Sequence, residues 1–343
     1  MKKYKVAVVG ASGNVGREMI NVLKDRNFPV SELVCLASKR SAGQKIRFQG
    51  VDVEIKDLAE YDFTGTDIAL FSPGGEVSKQ YAPIAASQGC IVIDNTSYFR
   101  MQEGIPLVVP EVNPEAVDGY KARNIIANPN CSTAQMLVPL APLHKLFGIK
   151  RIVVSTYQST SGAGKEGMDE LYNQAKAVFE PLKHIDVSPR KFTKEIAFNC
   201  IPRIGDFMTD GNTTEEWKMI VETKKIMSPD IEVSATCVRV PVFVGHAESV
   251  NIEFENELPE DEDIMEILRE SDGVSVLDRR ENGGYATNKD CVKEFPVYVS
   301  RIRRDYSRPN CLNMWIVADN IYGKGAALNS VQIAELLISR GHI

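Results

Sequence analysis

The sequence predicts an α/β protein of two domains, the first built on a parallel sheet and the second of α+β type. Its 343 residues suffice for about two domains. In the first third, nearly continuous apolar segments alternate with helix-like segments, which is typical of a parallel sheet covered on both faces. After Cys131 the pattern changes to long β-rich runs separated by helices, which indicates a second domain.

The elements of the first domain follow one another in regular alternation. The predicted strands are Lys5–Val9, Glu32–Ala37, Asp67–Ser72 and Cys90–Asp94, and the predicted helices are Asn14–Arg26 and Glu76–Ser87. The last helix of the chain, Ala326–Arg340, is amphipathic. We expect it to return to the first domain, whose limits are then 1–130 together with 320–343.

The second domain, residues 131–319, begins with a helix from Ser132 to about Phe147 that Pro139 is expected to kink or break. Its predicted strands are Arg151–Gln158, Glu232–Pro241, Ser249–Glu255 and Leu312–Ala318, and its predicted helices are Lys165–Phe179, Thr214–Ile226 and Asp261–Ser271. We expect the second and third of these strands to pair as antiparallel neighbours.

Composition excludes several classes of protein. With 40 Lys and Arg against 46 Asp and Glu, the net charge of −6 disfavours nucleic acid as a partner. No apolar run approaches the roughly 20 residues that span a bilayer, and the apolar stretch behind the N-terminal lysines is too short for a signal peptide. Seven scattered cysteines, without CxxC or a Cys/His cluster, predict a cytoplasmic protein with no bound metal.

A glycine-rich turn joins the first strand to the first helix. Gly10, Gly13 and Gly16 have the spacing GxxGxxG. Gly10 allows a tight turn, Gly13 lets the backbone approach a pyrophosphate, and Gly16 lets helix and strand pack closely. This context predicts a Rossmann-type dinucleotide site, with a glycine turn of some other α/β fold as the alternative.

The end of the second strand indicates which dinucleotide binds. A site for NAD places an acidic residue there to bind the ribose hydroxyls. This chain instead has Ser38, Lys39, Arg40 and Ser41, two cations and two hydroxyls. The combination suits a 2′-phosphate and predicts NADP, with a solvated basic turn as the alternative.

Cys131 is the strongest candidate nucleophile. It follows Asn128-Pro129-Asn130, where proline forces an extended approach and Asn130 or a neighbouring hydroxyl can cap a helix that begins at Cys131 or Ser132. A thiol at a helix N-terminus has a lowered pKa because its thiolate is stabilised there. The other six cysteines are expected to be inert core residues.

A thiolate nucleophile calls for a base, and His246 is the best of four histidines. It lies between two strands, directly after Gly245, which allows close approach. His144 is expected to be structural, His184 lies in a connector, and His342 is expected to be frayed.

Arg239 lies in an otherwise apolar strand, which is costly unless the guanidinium meets an anion. An internal ion pair is the alternative. Because Arg239 and His246 have opposite parity, a bend or bulge at Pro241 or Gly245 must intervene if both serve one site.

Three further charged residues are candidates. Glu215 and Lys218 share a helix face, a spacing that alone indicates a surface ion pair. Arg100 follows a strand of the first domain and could close on the active site.

With these residues in view, the whole chain resembles the aspartate-β-semialdehyde dehydrogenases. The motifs that carry the resemblance are VAVVGASGNVG (Val6–Gly16), SPGG (Ser72–Gly75), DNTSYFR (Asp94–Arg100), VPEVN (Val109–Asn113), NPNCST (Asn128–Thr133), YQSTSGAG (Tyr157–Gly164), EEWKM (Glu215–Met219), RVPVFVGHAE (Arg239–Glu248) and ADNIYGKGAA (Ala318–Ala327).

The resemblance implies a phosphate-dependent oxidoreductase that interconverts L-aspartate 4-semialdehyde and L-4-aspartyl phosphate with NADP, and a catalytic domain that also forms a homodimer or a dimer of dimers. It implies roles for matching residues. Cys131 is nucleophile, His246 acid and base, and Gln158 orients the acyl group. The substrate residues are Arg239 for the α-carboxylate, Glu215 for the amine, and Arg100, Lys218 and Asn130 for phosphate. The cofactor residues are Gly10, Ser12, Gly13, Asn14, Val15, Gly16, Ser38, Arg40, Ser41, Ser72, Ser161, Gly162 and Asn320.

Related chemistries are the alternatives. N-Acetyl-γ-glutamyl-phosphate reductase shares the thioester logic, but its cysteine motif differs from NPNCST and its acylated substrate has less use for Glu215. Glyceraldehyde-3-phosphate dehydrogenase usually carries the acidic NAD residue. A non-catalytic NADP(H)-sensing protein would not need Cys131, Gln158 and His246 together.

Overall fold

A computed structural model describes residues 2–180 and 188–343, so His184 lies outside the described residues. The chain divides into two compact units. One comprises the residues up to Asn130 together with Gly325–Ile343, and the other comprises Cys131–Lys324. The second limit falls at residue 325, where the sequence suggested 320, because the segment after the last strand stays with the second unit.

The strands are β1 (Tyr4–Val9), β2 (Val30–Ala37), β3 (Lys45–Phe48), β4 (Val51–Asp57), β5 (Ile68–Phe71), β6 (Ile91–Asp94), β7 (Ile125–Ala127), β8 (Ile149–Gln158), β9 (Glu232–Arg239), β10 (His246–Phe254), β11 (Val274–Val276), β12 (Val297–Arg304) and β13 (Cys311–Ala318). The α-helices are α1 (Asn14–Asp25), α2 (Gly75–Ser87), α3 (Cys131–Phe147), α4 (Lys165–Phe179), α5 (Thr214–Ile226), α6 (Asp261–Arg269) and α7 (Ala327–Ser339). None of these helices is long and apolar enough to cross a membrane.

The sheet of the first unit has the order β3-β4-β2-β1-β5-β6-β7. All pairs are parallel except β3 with β4, so the expectation of a purely parallel sheet was wrong at this edge. Gln49 and Gly50 join the two strands, and both have positive φ, as a tight hairpin requires. β3 alternates exposed and buried residues, unlike the buried strands, so apolar runs alone did not reveal it.

The last helix packs within the first unit, against α1, as the sequence predicted. Arg26 at the end of α1 forms an ion pair with Glu335 of α7 at 2.7 Å. The expectation that His342 is frayed was wrong. Its Nε2 lies 2.6 Å from Asp118, a carboxylate that Arg340 also contacts, so two side chains tie the last residues down.

The second unit is built on a sheet of order β11-β12-β13-β10-β8-β9. β9 and β10 are therefore not neighbours, and the prediction that they pair was wrong. β8 lies between them, parallel to β9 and antiparallel to β10. The two strands do run in opposite directions, but each of them pairs with β8.

Helix α3 is the central helix of the second unit. It contacts α5, α6 and the strands β8, β10, β12 and β13, and every residue from Ser132 to Leu140 is buried. It continues through Pro139 and Pro142, so the expected break is absent. Packing on all sides compensates for the two missing N–H donors. This helix holds its first residue, Cys131, at the sheet.

Candidate active site

The glycine turn after β1 forms a bed without side chains. Gly10 has φ +85°, and a Cβ there would lie 2.6 Å from the carbonyl oxygen of Ser72. A Cβ on Gly16 would strike the carbonyl oxygen of Gly10. Gly13 is the N-cap of α1 and provides no side-chain cap, so backbone N–H groups of the first turn are available to an anion.

The cofactor residues predicted in the first unit share one edge of the sheet. Ser12 to Val15 follow β1, Ser38 to Ser41 follow β2, and Ser72 follows β5. These three strands are parallel neighbours with β1 in the middle, which is the point where strand order reverses and α/β proteins bind nucleotides. The bare glycine bed, the uncapped helix start and exposed Arg40 fit a dinucleotide phosphate chain.

Cys131 differs from the other cysteines in its position. It is the first residue of α3 and is only partly buried. Burial raises the pKa of Cys35 to about 11 and of Cys291 to about 12, as expected for inert core thiols. Cys200 is exposed, so the expectation that all six others lie in the core was wrong for this residue.

Gln158, the last residue of β8, joins the start of α3 to α5. Its Nε2 donates to Ser132 Oγ at 2.7 Å and to Glu215 Oε1 at 3.3 Å. Glu215 is buried, and its other oxygen forms an ion pair with the Lys218 ammonium at 3.0 Å. Glu215 and Lys218 therefore do not form the ordinary surface pair that their spacing alone suggests.

Arg239, the last residue of β9, lies beside Gln158 in the strand register. It is buried, and its guanidinium donates to the carbonyl oxygen of Ser159 at 2.6 Å. Burial lowers the pKa of Arg239, while interactions with Glu215 and Cys131 favour its charged form. The predicted cation thus lies within electrostatic range of the predicted nucleophile.

His246, the first residue of β10, is completely buried. The backbone N–H of Ser159 donates to its Nδ1 at 3.1 Å, so the neutral ring carries its proton on Nε2. Burial, helped by the Arg239 charge, lowers the pKa of His246 to about 3. We predicted that His246 is a base. The neutral ring already has a proton on Nε2, so this nitrogen can donate a hydrogen bond.

Gly162 lies against both charged and neutral partners of this site. A Cβ there would come 3.2 Å from His246 Nε2 and 2.9 Å from an Arg239 nitrogen. Asn320 Oδ1 accepts from the Ser159 and Ser161 hydroxyls and from the Gly245 N–H. Of the predicted cofactor residues of the second unit, Gly162 thus lies next to His246, and Ser161 and Asn320 are joined to His246 through Ser159.

The sequence parity of Arg239 and His246 demanded a break in the strand, and the structure contains one. β9 ends at Arg239, β10 begins at His246, and β8 lies between them. Gly245, with φ +92°, brings the chain into β10. A Cβ on Gly245 would lie 2.6 Å from the Asn288 carbonyl oxygen, so only glycine fits this turn.

Arg100 and Asn130 belong to the first unit. Arg100 is buried and donates to the carbonyl oxygens of Asn128 and Asn95, both at 2.9 Å. It therefore supports the backbone that leads to Asn130, the buried residue directly before Cys131. His144 accepts the Ile149 N–H through Nδ1, the structural role expected for it.

Sequence reasoning missed three residues that organise the site: Ser132, Gln135 and Ser159. Each forms at least one hydrogen bond with a predicted residue. Their only signal was position, because Ser132 and Ser159 directly follow Cys131 and Gln158. In the part of the chain that the structure describes, no group of three His, Cys, Asp or Glu side chains could hold a metal ion.

Residues 5–120 match the family model described as semialdehyde dehydrogenase, NAD binding domain, and residues 140–322 match semialdehyde dehydrogenase, dimerisation domain. An aspartate-semialdehyde dehydrogenase of Aquifex aeolicus is 51% identical over 99% of both chains, and that of Bacillus subtilis is 49% identical over 97% of this chain and 96% of its own.

The chain belongs to the aspartate-semialdehyde dehydrogenase family. The predicted family, the oxidoreductase class and the fold with its Rossmann-type domain are confirmed. Among solved members, aspartate semialdehyde dehydrogenase II from Vibrio cholerae complexed with ASA has a TM-score of 0.96 and 49% identity, with full coverage of both chains. The Candida albicans member solved with NADP has a TM-score of 0.77 and 26% identity, again over both whole chains.

The buried, neutral His246 should make the stability of the protein depend on pH. The pKa of His246 in the folded protein is about 3, below the ordinary value of 6.5. Between these two pH values the unfolded chain therefore binds a proton that the folded chain does not bind. This contribution is complete above pH 6.5 and is lost as pH falls from there toward 3. Between pH 7 and 5, wild type should lose about 2 kcal/mol more free energy of unfolding than His246→Gln. Urea unfolding of both proteins at the two pH values measures this, and an identical loss in the two would contradict a neutral His246.

Proposed function

We propose that the chain converts L-aspartate 4-semialdehyde, phosphate and NADP⁺ into L-4-aspartyl phosphate and NADPH, and that it runs in reverse in the cytoplasm toward lysine, methionine and threonine. The observation that carries this proposal is the convergence of Cys131, Gln158, Arg239 and His246 at the start of α3 and the adjoining ends of β8, β9 and β10. The 49% identical relative complexed with ASA supports the substrate.

The first step is addition of the Cys131 thiolate to the aldehyde carbon. A sulfur–carbon bond forms and the carbonyl electron pair moves to oxygen. The start of α3 and the nearby Arg239 charge favour the thiolate over the thiol. Gln158, anchored on Ser132 and Glu215, is placed to orient the bound carbonyl group.

His246 acts on the oxygen of this adduct. Its Nε2–H would donate to the developing negative charge, which needs no protonated imidazole and suits a ring with a low pKa. NADP⁺ supplies the acceptor for the hydride that leaves the same carbon, and the adduct becomes a thioester. His246 thus stabilises the oxyanion by a hydrogen bond, and the reaction does not require His246 to accept a proton.

Phosphate then attacks the thioester carbon, and the carbon–sulfur bond breaks to restore the Cys131 thiolate. We assign the binding of phosphate to Arg100, Lys218 and Asn130. We assign the binding of the substrate amine to Glu215, because its buried carboxylate has the charge opposite to that of an ammonium group. Arg239 binds the substrate carboxylate. A guanidinium has five N–H donors, so its bond to the Ser159 carbonyl leaves donors for that partner.

Cys131→Ala should lower the rate of NADPH formation at least about a thousandfold, because the alanine side chain cannot form the thioester. Cys200→Ala is the matched control, because its thiol is exposed, and it should keep the wild-type rate. The assay follows reduced nicotinamide with L-aspartate 4-semialdehyde, with and without phosphate, and NADP⁺ binding is measured separately. A substantial rate in a folded Cys131→Ala protein would refute the nucleophile, and a wild-type protein inactive on this substrate would refute the substrate.

NADP is proposed as the cofactor because the turn after β2 provides Ser38, Arg40 and Ser41 and no carboxylate. Arg40 is exposed on the short turn Lys39–Ser41, and Ser41 beneath it is buried. The Candida albicans relative solved with NADP supports this choice. A carboxylate at this turn would repel a 2′-phosphate, whereas a guanidinium binds one through charge-assisted hydrogen bonds.

Arg40→Ala should raise the KM for NADP⁺ about ten- to a hundredfold, the equivalent of one or two charge-assisted hydrogen bonds, while the KM for NAD⁺ changes little. Lys45→Ala removes another exposed cation of the same unit and should leave both values unchanged. Steady-state kinetics with the two cofactors provide the comparison. Equal effects on NADP⁺ and NAD⁺ would show that Arg40 does not bind the 2′-phosphate.

We also propose that the chain forms a homodimer, or a dimer of dimers, through the second unit. The family model for this part is described as a dimerisation domain. The sheet face opposite the site carries the partly exposed side chains of Tyr157, Ser249 and Trp315, and the two aromatic rings lie 5.4 Å apart. An aromatic surface of this kind is typical of a subunit interface.

A further inference from the structure

A second layer of polar side chains lies directly beneath the reacting residues of the second unit. Each strand of the site contributes the residue two positions further from the site: Thr156 on β8, Cys237 on β9 and Glu248 on β10. Thr156 pairs with both others in the strand register, and alternation places them on the face that carries Gln158.

Helix α3 contributes to the same layer. Gln135 lies one turn after Cys131, and one helical turn rises about as far as two strand residues, roughly 6 Å. Gln135, Thr156, Cys237 and Glu248 are all completely buried. Beyond them, Val154 and Val250 continue the same faces as apolar core.

Glu248 is the unusual member of this layer. No described residue donates a hydrogen bond of normal geometry to either of its oxygens. Burial raises its pKa well above the ordinary value, and the neighbouring Gln135 amide offsets only part of that effect. Among the residues that the structure describes, no cation acts on this carboxyl group. Thr156 and Ile316 face it from the adjoining strands, and the Cys237 thiol lies within electrostatic range of it. A carboxylate here would be desolvated with no cation to compensate, so burial favours the neutral acid.

Gln135 connects this acid to the site. Its Nε2 donates to the backbone carbonyl oxygen of His246 at 3.3 Å, so it joins the first turn of α3 to the first residue of β10. Its Oε1 accepts no hydrogen bond from the described residues. An amide and a neutral carboxylic acid are complementary, because the acid O–H can donate to Oε1 while the second N–H of the amide donates to the acid carbonyl.

We propose that Glu248 is a positioning residue: as a neutral acid paired with Gln135, it holds the first turn of α3 against β10 and thereby sets the distance between Cys131 and His246. The proposal rests on the roles proposed above for those two residues. Glu248 does not touch substrate. It acts through Gln135, whose remaining N–H fixes the backbone at His246.

The test compares Glu248→Gln, which keeps a hydrogen-bonding partner for Gln135, with Glu248→Leu, which fills a similar volume without one. Val250→Ala, on the same strand and face, is the control for a disturbed core. Measurements are kcat, KM, the pH dependence of kcat, and the rate at which iodoacetamide alkylates Cys131. We expect Glu248→Leu to lower kcat about tenfold or more with KM within about twofold, and Glu248→Gln to recover kcat to within about threefold with an unshifted pH profile. Val250→Ala should keep the wild-type kcat.

Two results would overturn the proposal. A wild-type kcat in Glu248→Leu would mean that the side chain only fills space. A loss in Glu248→Gln as large as in Glu248→Leu, or a shifted pH profile, would mean that a carboxylate charge acts on the site. If Glu248→Leu fails to fold, the kcat, pH profile and alkylation rate of Glu248→Gln decide. Cys131→Ala, assayed in parallel, distinguishes failure of the proposed function from failure of the Glu248 proposal. Activity in the Cys131→Ala protein would refute the proposed function, whatever the Glu248 variants do.

Discussion

The hydrogen bond from the Ser159 backbone N–H to His246 Nδ1 is the interaction on which the chemistry of the second unit depends. It joins the end of β8 to the start of β10, so it exists only because these strands pair antiparallel. It also fixes the tautomer, because a ring that accepts at Nδ1 has its proton at Nε2. The donor at Nε2 then lies next to Gly162, where a Cβ would come within 3.2 Å of it.

Burial of polar groups is the constraint that this arrangement imposes on the rest of the unit. Arg239, Glu215 and His246 are all withdrawn from water, and each needs partners within the protein. Gln158, Ser159 and Lys218 supply them. The same need for partners applies to the polar layer that contains Glu248, where we propose that Gln135 pairs with the neutral acid. A polar site can thus be built against the apolar core of this unit when each buried polar group has a partner within the protein.

Local sequence patterns were sufficient to single out several of the candidate site residues. The glycine spacing, the absence of an acid after β2, and the placing of Cys131 at a loop-to-helix step are short-range features with direct physical meaning. The break required between Arg239 and His246 also followed from strand parity alone. The resemblance to the family added Gln158 and the roles of the substrate residues, which no local pattern distinguishes.

Long-range pairing was not predictable from the same information. Nothing in β9 or β10 indicates that β8 lies between them, because each could pair with any strand of suitable length and pattern. The proline-containing helix α3 is continuous because other elements pack around it. Ser159, Gln135 and Glu248 become significant only once strands and helix are brought together.

A single turnover in the absence of phosphate tests the central claim, that the reaction passes through a thioester on Cys131. The enzyme is mixed with excess L-aspartate 4-semialdehyde and NADP⁺, NADPH is followed, and the peptide that contains Cys131 is analysed by mass spectrometry. The account predicts a burst of one NADPH per active site, an aspartyl adduct on Cys131, and renewed turnover when phosphate is added. Steady NADPH formation without phosphate, with Cys131 unmodified throughout, would contradict it.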